Sequence, residues 1–176
     1  MYLTNATILN DGPIEDLEIK ASFNEDGSPK PIVLVGSNGS GKTTLTSIIS
    51  DALIEIAAKF FRDISPWEGN RRSWFRVLGD RNHRRGSPYS VSALNFQIKD
   101  KNNICYRAKC GKVQPETLRE RMSLYPGIEE WLRKEGNYKD IQGIKNDTVR
   151  HAFLSGCYAF FPVNRHEIPH WLNTKY

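Results

Sequence analysis

The sequence predicts an α/β fold with a parallel or mixed core sheet, an antiparallel β-layer beside it and a helical extension. Three patterns lead to this prediction. Residues 32–35 form a continuous apolar run, which is typical of a strand buried on both faces. From Leu45 to Phe61 apolar residues recur at helical spacing. Residues 91–98 and 104–110 are β-prone segments joined by a short polar stretch, which predicts a hairpin.

The other elements follow in chain order. Residues 2–9 predict a strand that ends at the turn Asn10–Pro13. The alternation of apolar and polar residues from Leu17 to Phe23 predicts a half-buried strand. Later in the chain we expect a helix in two pieces, a short helix and an aromatic-rich strand, at residues 115–135, 146–155 and 157–163.

Length and composition indicate one globular domain. The 176 residues are 39% apolar and 26% charged, an ordinary balance for a chain with its own core. No apolar run approaches the roughly 18 residues of a membrane span, and the first residues lack the pattern of a secretory leader. Cysteines 105, 110 and 157 form neither an even disulfide set nor a C-x-x-C pair. We therefore expect a cytoplasmic protein with reduced thiols, neither secreted nor in a membrane.

One motif carries most of the chemistry. It lies between the apolar run and the long helix and matches G-x-x-x-x-G-K-[ST] at every fixed position. Glycines let the backbone surround phosphates with its N–H groups, and the helix that follows directs its positive end to the same place. Lys42 would reach the β- and γ-phosphates, and the Thr43 hydroxyl would bind Mg²⁺. The predicted ligands of ATP and Mg²⁺ are Gly36, Ser37, Asn38, Gly39, Ser40, Gly41, Lys42, Thr43 and Thr44.

This motif is a P-loop, and the residues at its variable positions indicate a narrower class of ATPase. Asn38 to Thr44, after antiparallel strands, resembles the ATP-binding-cassette ATPases, particularly their SMC/RecF-like branch. The segment Tyr158 to Leu172 resembles the strand and loop that return to the core in overcoming-lysogeny-defect-like ATPases. The resemblance covers residues 1–62 and, loosely, 85–112. It implies the N-terminal lobe of an ATPase used in DNA repair or phage defence, in which ATP closes a dimer. The implied partners are a second ATPase lobe or protomer, in a homodimer, and an effector protein.

The resemblance also divides the chain into three parts of one domain. Residues 1–112 would form the P-loop nucleotide-binding lobe with its antiparallel layer. Residues 113–156 would be a helical insertion, and residues 157–176 a strand and loop that return to the core.

Other motifs of these ATPases are missing from the sequence. It contains no apolar strand ending in Asp-Glu and no complete L-S-G-G-like signature, and Gln142 is a poor candidate for the glutamine near Mg²⁺. The catalytic residues are therefore unknown, and we expect the N-terminal half of a longer ATPase. Two alternatives stay open: a complete small P-loop kinase or other phosphotransferase, and a nucleotide-binding module without hydrolysis. The absence of a guanine-reading Asn-Lys-x-Asp motif favours ATP over GTP.

An arginine-rich block stands out from the acidic first part of the chain. Residues 71–85 hold six arginines, two aromatic residues and one acid. Such a mixture is typical of surfaces that contact nucleic-acid phosphates and stack on bases, but it also suits a solvated loop. The candidate contacts to DNA, RNA or the phosphates of bound ATP are Arg71, Arg72, Arg76, Arg84 and Arg85.

Overall fold

A computed structural model of the chain describes residues 1–61, 67–68, 71–72, 83–98, 103–143 and 146–156. The described helices are α1 (Lys42–Ala57), α2 (Pro115–Leu118), α3 (Ile128–Arg133) and α4 (Asn146–Leu154). The strands are β1 (Tyr2–Asp11), β2 (Ile14–Lys20), β3 (Trp67–Glu68), β4 (Arg71–Arg72), β5 (Tyr89–Gln97), β6 (Asn103–Gly111) and β7 (Tyr138–Gln142).

Five of the strands form one sheet in the order β2-β1-β5-β6-β7, and every pairing in it is antiparallel. Strands β1 and β2 are joined by the two residues Gly12 and Pro13. Strands β3 and β4 form a separate two-stranded pair. The predicted hairpin of residues 91–110 is confirmed as β5 and β6.

The prediction of a parallel or mixed α/β core is wrong: the described fold is mostly antiparallel β-structure with one long helix. The run 32–35 is not a strand, and the side chains of Val33 and Val35 are 79% and 90% exposed. A strand forms only where neighbours pair with its backbone. No described strand pairs with residues 32–35, so their apolar character alone does not make them a buried strand.

The sheet separates two apolar clusters because side chains alternate along each strand. On one face, even-numbered residues such as Ile8, Leu94 and Tyr106 pack against α1, and Val149 of α4 joins them. On the other face, odd-numbered residues pack against α2, α3 and the segment between them, with Trp131 almost fully buried. The long helix predicted from the spacing after Leu45 is confirmed, because that spacing forms its buried stripe.

The part of the chain predicted as a helical insertion holds α2, α3 and α4 and also β7, which pairs with β6. The predicted strand at residues 157–163 and the returning loop up to residue 176 lie outside the described residues. Among the described residues, no helix is both long and apolar enough to cross a membrane.

Candidate functional site

The predicted P-loop is an exposed turn that leads directly into α1. Gly36 to Ser40 are exposed, Gly41 is buried and α1 begins at Lys42. Gly39 and Gly41 have φ angles of +81° and +97°, a left-handed region that glycine enters without strain. A side chain at Gly36 would place its Cβ 2.7 Å from Ser40 Oγ. The motif glycines therefore let this loop turn tightly onto the helix.

Gly41 also lets the turn between β1 and β2 approach the loop closely. A Cβ at Gly41 would lie 2.6 Å from Ile14 Cγ1 and 3.4 Å from Pro13 Cγ. On the other side of the turn, a Cβ at Gly12 would lie 3.6 Å from Thr44 Cγ2. Ile14 is itself part of the core against α1, so the sheet supports the start of the helix through this contact.

Lys42 folds back along the loop. Its Nζ donates hydrogen bonds to Gly36 O at 2.8 Å and to Ser37 O at 2.7 Å. An ammonium group has three N–H donors, so one remains beyond these two bonds. Thr43 is exposed in the first turn of α1, and that turn carries no acidic side chain. The positive end of the helix dipole is therefore not offset by an acidic side chain in that turn.

A cleft of about 570 Å³ lies beside the loop. Its walls are the start of β2, the exposed apolar run and the loop–helix junction, namely residues 13–17, Val33–Val35, Ser40–Lys42 and Leu45. Most of this lining is apolar, whereas the loop side presents backbone and an ammonium group. Such a combination of apolar wall and few polar groups is common in small-molecule sites.

Both acids of the cleft are paired with arginines. Glu15 Oε2 lies 2.9 Å from Arg84 Nη2. Asp16 accepts two hydrogen bonds from Arg121, one of them of 2.6 Å, and these bonds hold the pKa of Asp16 below its usual value. Because each carboxylate has a cationic neighbour, the cleft repels an anionic ligand less than its acids alone would.

Arg84 also holds the turn between β1 and β2 in place. Its backbone N–H donates to Asn10 O at 2.9 Å, and its guanidinium donates to Pro13 O at 3.3 Å. The preceding residue, His83, forms a β-bridge with Asp11. The turn that supports Gly41 is therefore clamped by residues that are distant in sequence.

Two of the other candidates, Arg85 and Gln142, do not line this cleft. Arg85 is exposed in the turn before β5. The backbones of Arg71 and Arg72 lie in β4, without described side chains, and Arg76 lies outside the described residues. Gln142 ends β7, where its Nε2 donates to Asp140 Oδ2 at 3.2 Å on the face of the sheet opposite α1.

Sequence reasoning missed the role of residues 10–14. The letters Asn10-Asp11-Gly12-Pro13 signalled a turn, but nothing in them indicated that this turn packs on the P-loop. Among the described residues, no group of three or more His, Cys, Asp or Glu side chains is arranged to hold a metal ion. A metal here would depend on hydroxyl oxygens such as Thr43 Oγ1 and on oxygens of the ligand itself.

No protein-family model matches this chain, and no curated protein matches it. The assignment of the site therefore depends on its own residues and geometry.

Proposed function

We propose that this chain binds ATP with Mg²⁺ through residues 36–44. The observation that carries the proposal is the junction at Gly41–Lys42, where a left-handed glycine leads into a 16-residue helix without an acid in its first turn. Exposed backbone N–H groups and the positive helix end favour a phosphate chain at this place.

Each side chain has a role in this proposal. Lys42 exchanges its bonds to the Gly36 and Ser37 carbonyls for the β- and γ-phosphates. Thr43 supplies a hydroxyl ligand to Mg²⁺, and the phosphates supply the negative oxygens that the protein side of the site lacks. Bound Mg²⁺ would neutralise charge on the β- and γ-phosphates. The apolar cleft beside Lys42, lined by Pro13 and Val33–Val35, suits the nucleoside.

The finer proposal is an ATPase lobe of the SMC/RecF-like type, acting in DNA repair or phage defence. It is supported by the letters from Asn38 to Thr44 after antiparallel strands and by the large exposed side chains at residues 32–35. Such an apolar run beside a nucleotide site suits cover by a second lobe or protomer. In this proposal the partner also supplies the groups that position the attacking water.

The test is a titration of the chain with a fluorescent ATP analogue in the presence of Mg²⁺. We expect binding that Lys42→Ala weakens at least about 100-fold, since two charge-assisted phosphate contacts are lost. Lys59→Ala is the matched control, because Lys59 is an exposed lysine beyond the other end of α1. Circular dichroism confirms that the variants keep the fold.

Phosphate release in the same samples distinguishes the outcomes. Binding with little release agrees with a lobe that needs a partner. Release that accelerates with a small phosphate acceptor would favour a phosphotransferase instead. Equal binding by Lys42→Ala and the unchanged chain would refute the proposed site.

The two neighbouring arginines provide a second test. We expect Arg84→Ala to weaken nucleotide binding about five- to tenfold, because Arg84 clamps the turn that supports Gly41. Arg85→Ala should leave nucleotide binding unchanged and should weaken binding of a short DNA or RNA duplex, if the arginine block contacts nucleic acid. Fluorescence anisotropy measures both affinities. Equal effects of the two substitutions on nucleotide binding would contradict the assigned role of Arg84.

A further inference from the structure

Cys110, at the end of β6, lies against the imidazole of His83. The Cys110 Sγ and His83 Nε2 atoms are 3.5 Å apart, within hydrogen-bonding distance for sulfur. Cys110 is half-buried. The pair lies on the face of the sheet that carries α1, at the same end as the turn between β1 and β2.

Two buried polar atoms at this end of the sheet have no hydrogen-bond partner among the described residues. Ser90 is directly opposite Cys110 in the β5–β6 register and is fully buried, and its Oγ is unpaired. The Nδ1 atom of His83 is buried and unpaired as well. A buried polar atom without a partner destabilises the folded state.

The backbone fixes the position of His83. This residue forms a β-bridge with Asp11, and the next residue donates its N–H to Asn10 O. The ring also lies over Gly111, where an added Cβ would be 3.1 Å from His83 Cε1. These backbone contacts therefore hold the imidazole against the Cys110 sulfur.

The other described cysteine is a natural comparison. Cys105 lies on the opposite face of the sheet, in the apolar cluster around Trp131, and is 2% exposed. Burial raises the pKa of its thiol to about 12. A thiol in this environment is protonated and shielded, so it reacts slowly.

We propose that Cys110 is a nucleophilic thiol, activated by His83, that forms mixed disulfides with small disulfide molecules. His83 Nε2 accepts the thiol proton, and the thiolate attacks one sulfur of the small disulfide. The sulfur–sulfur bond of that molecule breaks while the bond to Cys110 forms. One half of the molecule leaves as a thiolate, and His83 returns its proton to the solvent. Ser90 is directly opposite Cys110 across the strands, and its hydroxyl turns to donate a hydrogen bond to the thiolate once the thiolate forms.

The test is the rate at which each cysteine of the full chain reacts with dithiobis(nitrobenzoic acid), a small aromatic disulfide. The substitution Cys157→Ser removes the third cysteine from the measurement. Release of the coloured thiolate gives the rates, and peptide mass spectrometry assigns them to Cys110 or Cys105. We expect Cys110 to react at least about 100-fold faster than Cys105.

The substitution His83→Gln should then slow Cys110 about tenfold or more, since the base is lost. Ser90→Ala should slow it about threefold, because Ser90 supplies one hydrogen bond. His151→Gln is the matched control, as His151 is exposed on α4 and the hydrogen bond of Cys110 is to His83. The ratio of the Cys110 and Cys105 rates separates this effect from loosening of the fold, which would raise the Cys105 rate. An unchanged ratio in His83→Gln would overturn the proposal, as would equal rates of the two cysteines in the unsubstituted chain.

Discussion

Gly41→Ala is expected to lower the free energy of unfolding by about 3 kcal/mol and to abolish the nucleotide binding proposed for residues 36–44. Two effects combine at this position. The φ angle of +97° is unfavourable for any residue with a Cβ, and the added Cβ would lie 2.6 Å from Ile14 Cγ1. Ile14 is 6% exposed in the core, so its Cγ1 has little room to move. The start of α1 would have to shift away from the sheet.

Gly39→Ala and Gly27→Ala separate these two effects. Both glycines have left-handed φ angles, +81° and +79°, but no atom lies within 4 Å of an added Cβ. We expect each to cost only about 1–2 kcal/mol. Gly27→Ala should leave nucleotide binding unchanged, since Gly27 belongs to a different turn. Urea unfolding gives the three stabilities, and equal losses for Gly41→Ala and Gly39→Ala would refute the close contact with Ile14.

Arg107→Met is expected to cost about 3–5 kcal/mol, because it leaves a partly buried carboxylate without its cation. Arg107 is fully buried, and its guanidinium donates to both Asp140 oxygens, at 2.9 and 2.5 Å. It also donates to Pro126 O at 2.5 Å and lies over the Trp131 ring, 5.5 Å from the centroid. The substitution therefore disrupts the attachment of α3 to the sheet.

The matched control is Arg121→Met, which removes the exposed partner of Asp16. An exposed pair contributes about 0–1 kcal/mol, so this loss should be small. The double substitution Arg107→Met and Asp140→Leu should recover much of the stability, since no buried charge remains unpaired. Denaturant unfolding measures all of these variants. Similar losses for Arg107→Met and Arg121→Met would contradict the importance of burial at Arg107.

Local patterns predicted the described elements well where the pattern and the environment agreed. The apolar spacing after Leu45 gave α1, because one stripe of the helix faces the sheet. The β-prone segments on either side of residues 99–102 form the β5–β6 hairpin, because each segment pairs with the other. Residues 32–35 had the composition of a buried strand, but composition cannot supply the neighbouring strands that such a segment needs. The antiparallel sheet order was likewise decided by contacts between distant residues.

Some features of the candidate site were also predictable from local sequence, and others were not. The sequence by itself determined the loop, since the spacing of Gly36, Gly41, Lys42 and Thr43 is local and chemically specific. Only the tertiary structure decided what surrounds it: the support of Gly41 by Ile14, the clamp by Arg84, and the contact of His83 with Cys110 across 27 residues. These contacts depend on strand register and on a turn that folds back onto the helix. Strand register and the position of this turn produce no periodic pattern in the sequence, so they could not be predicted from it.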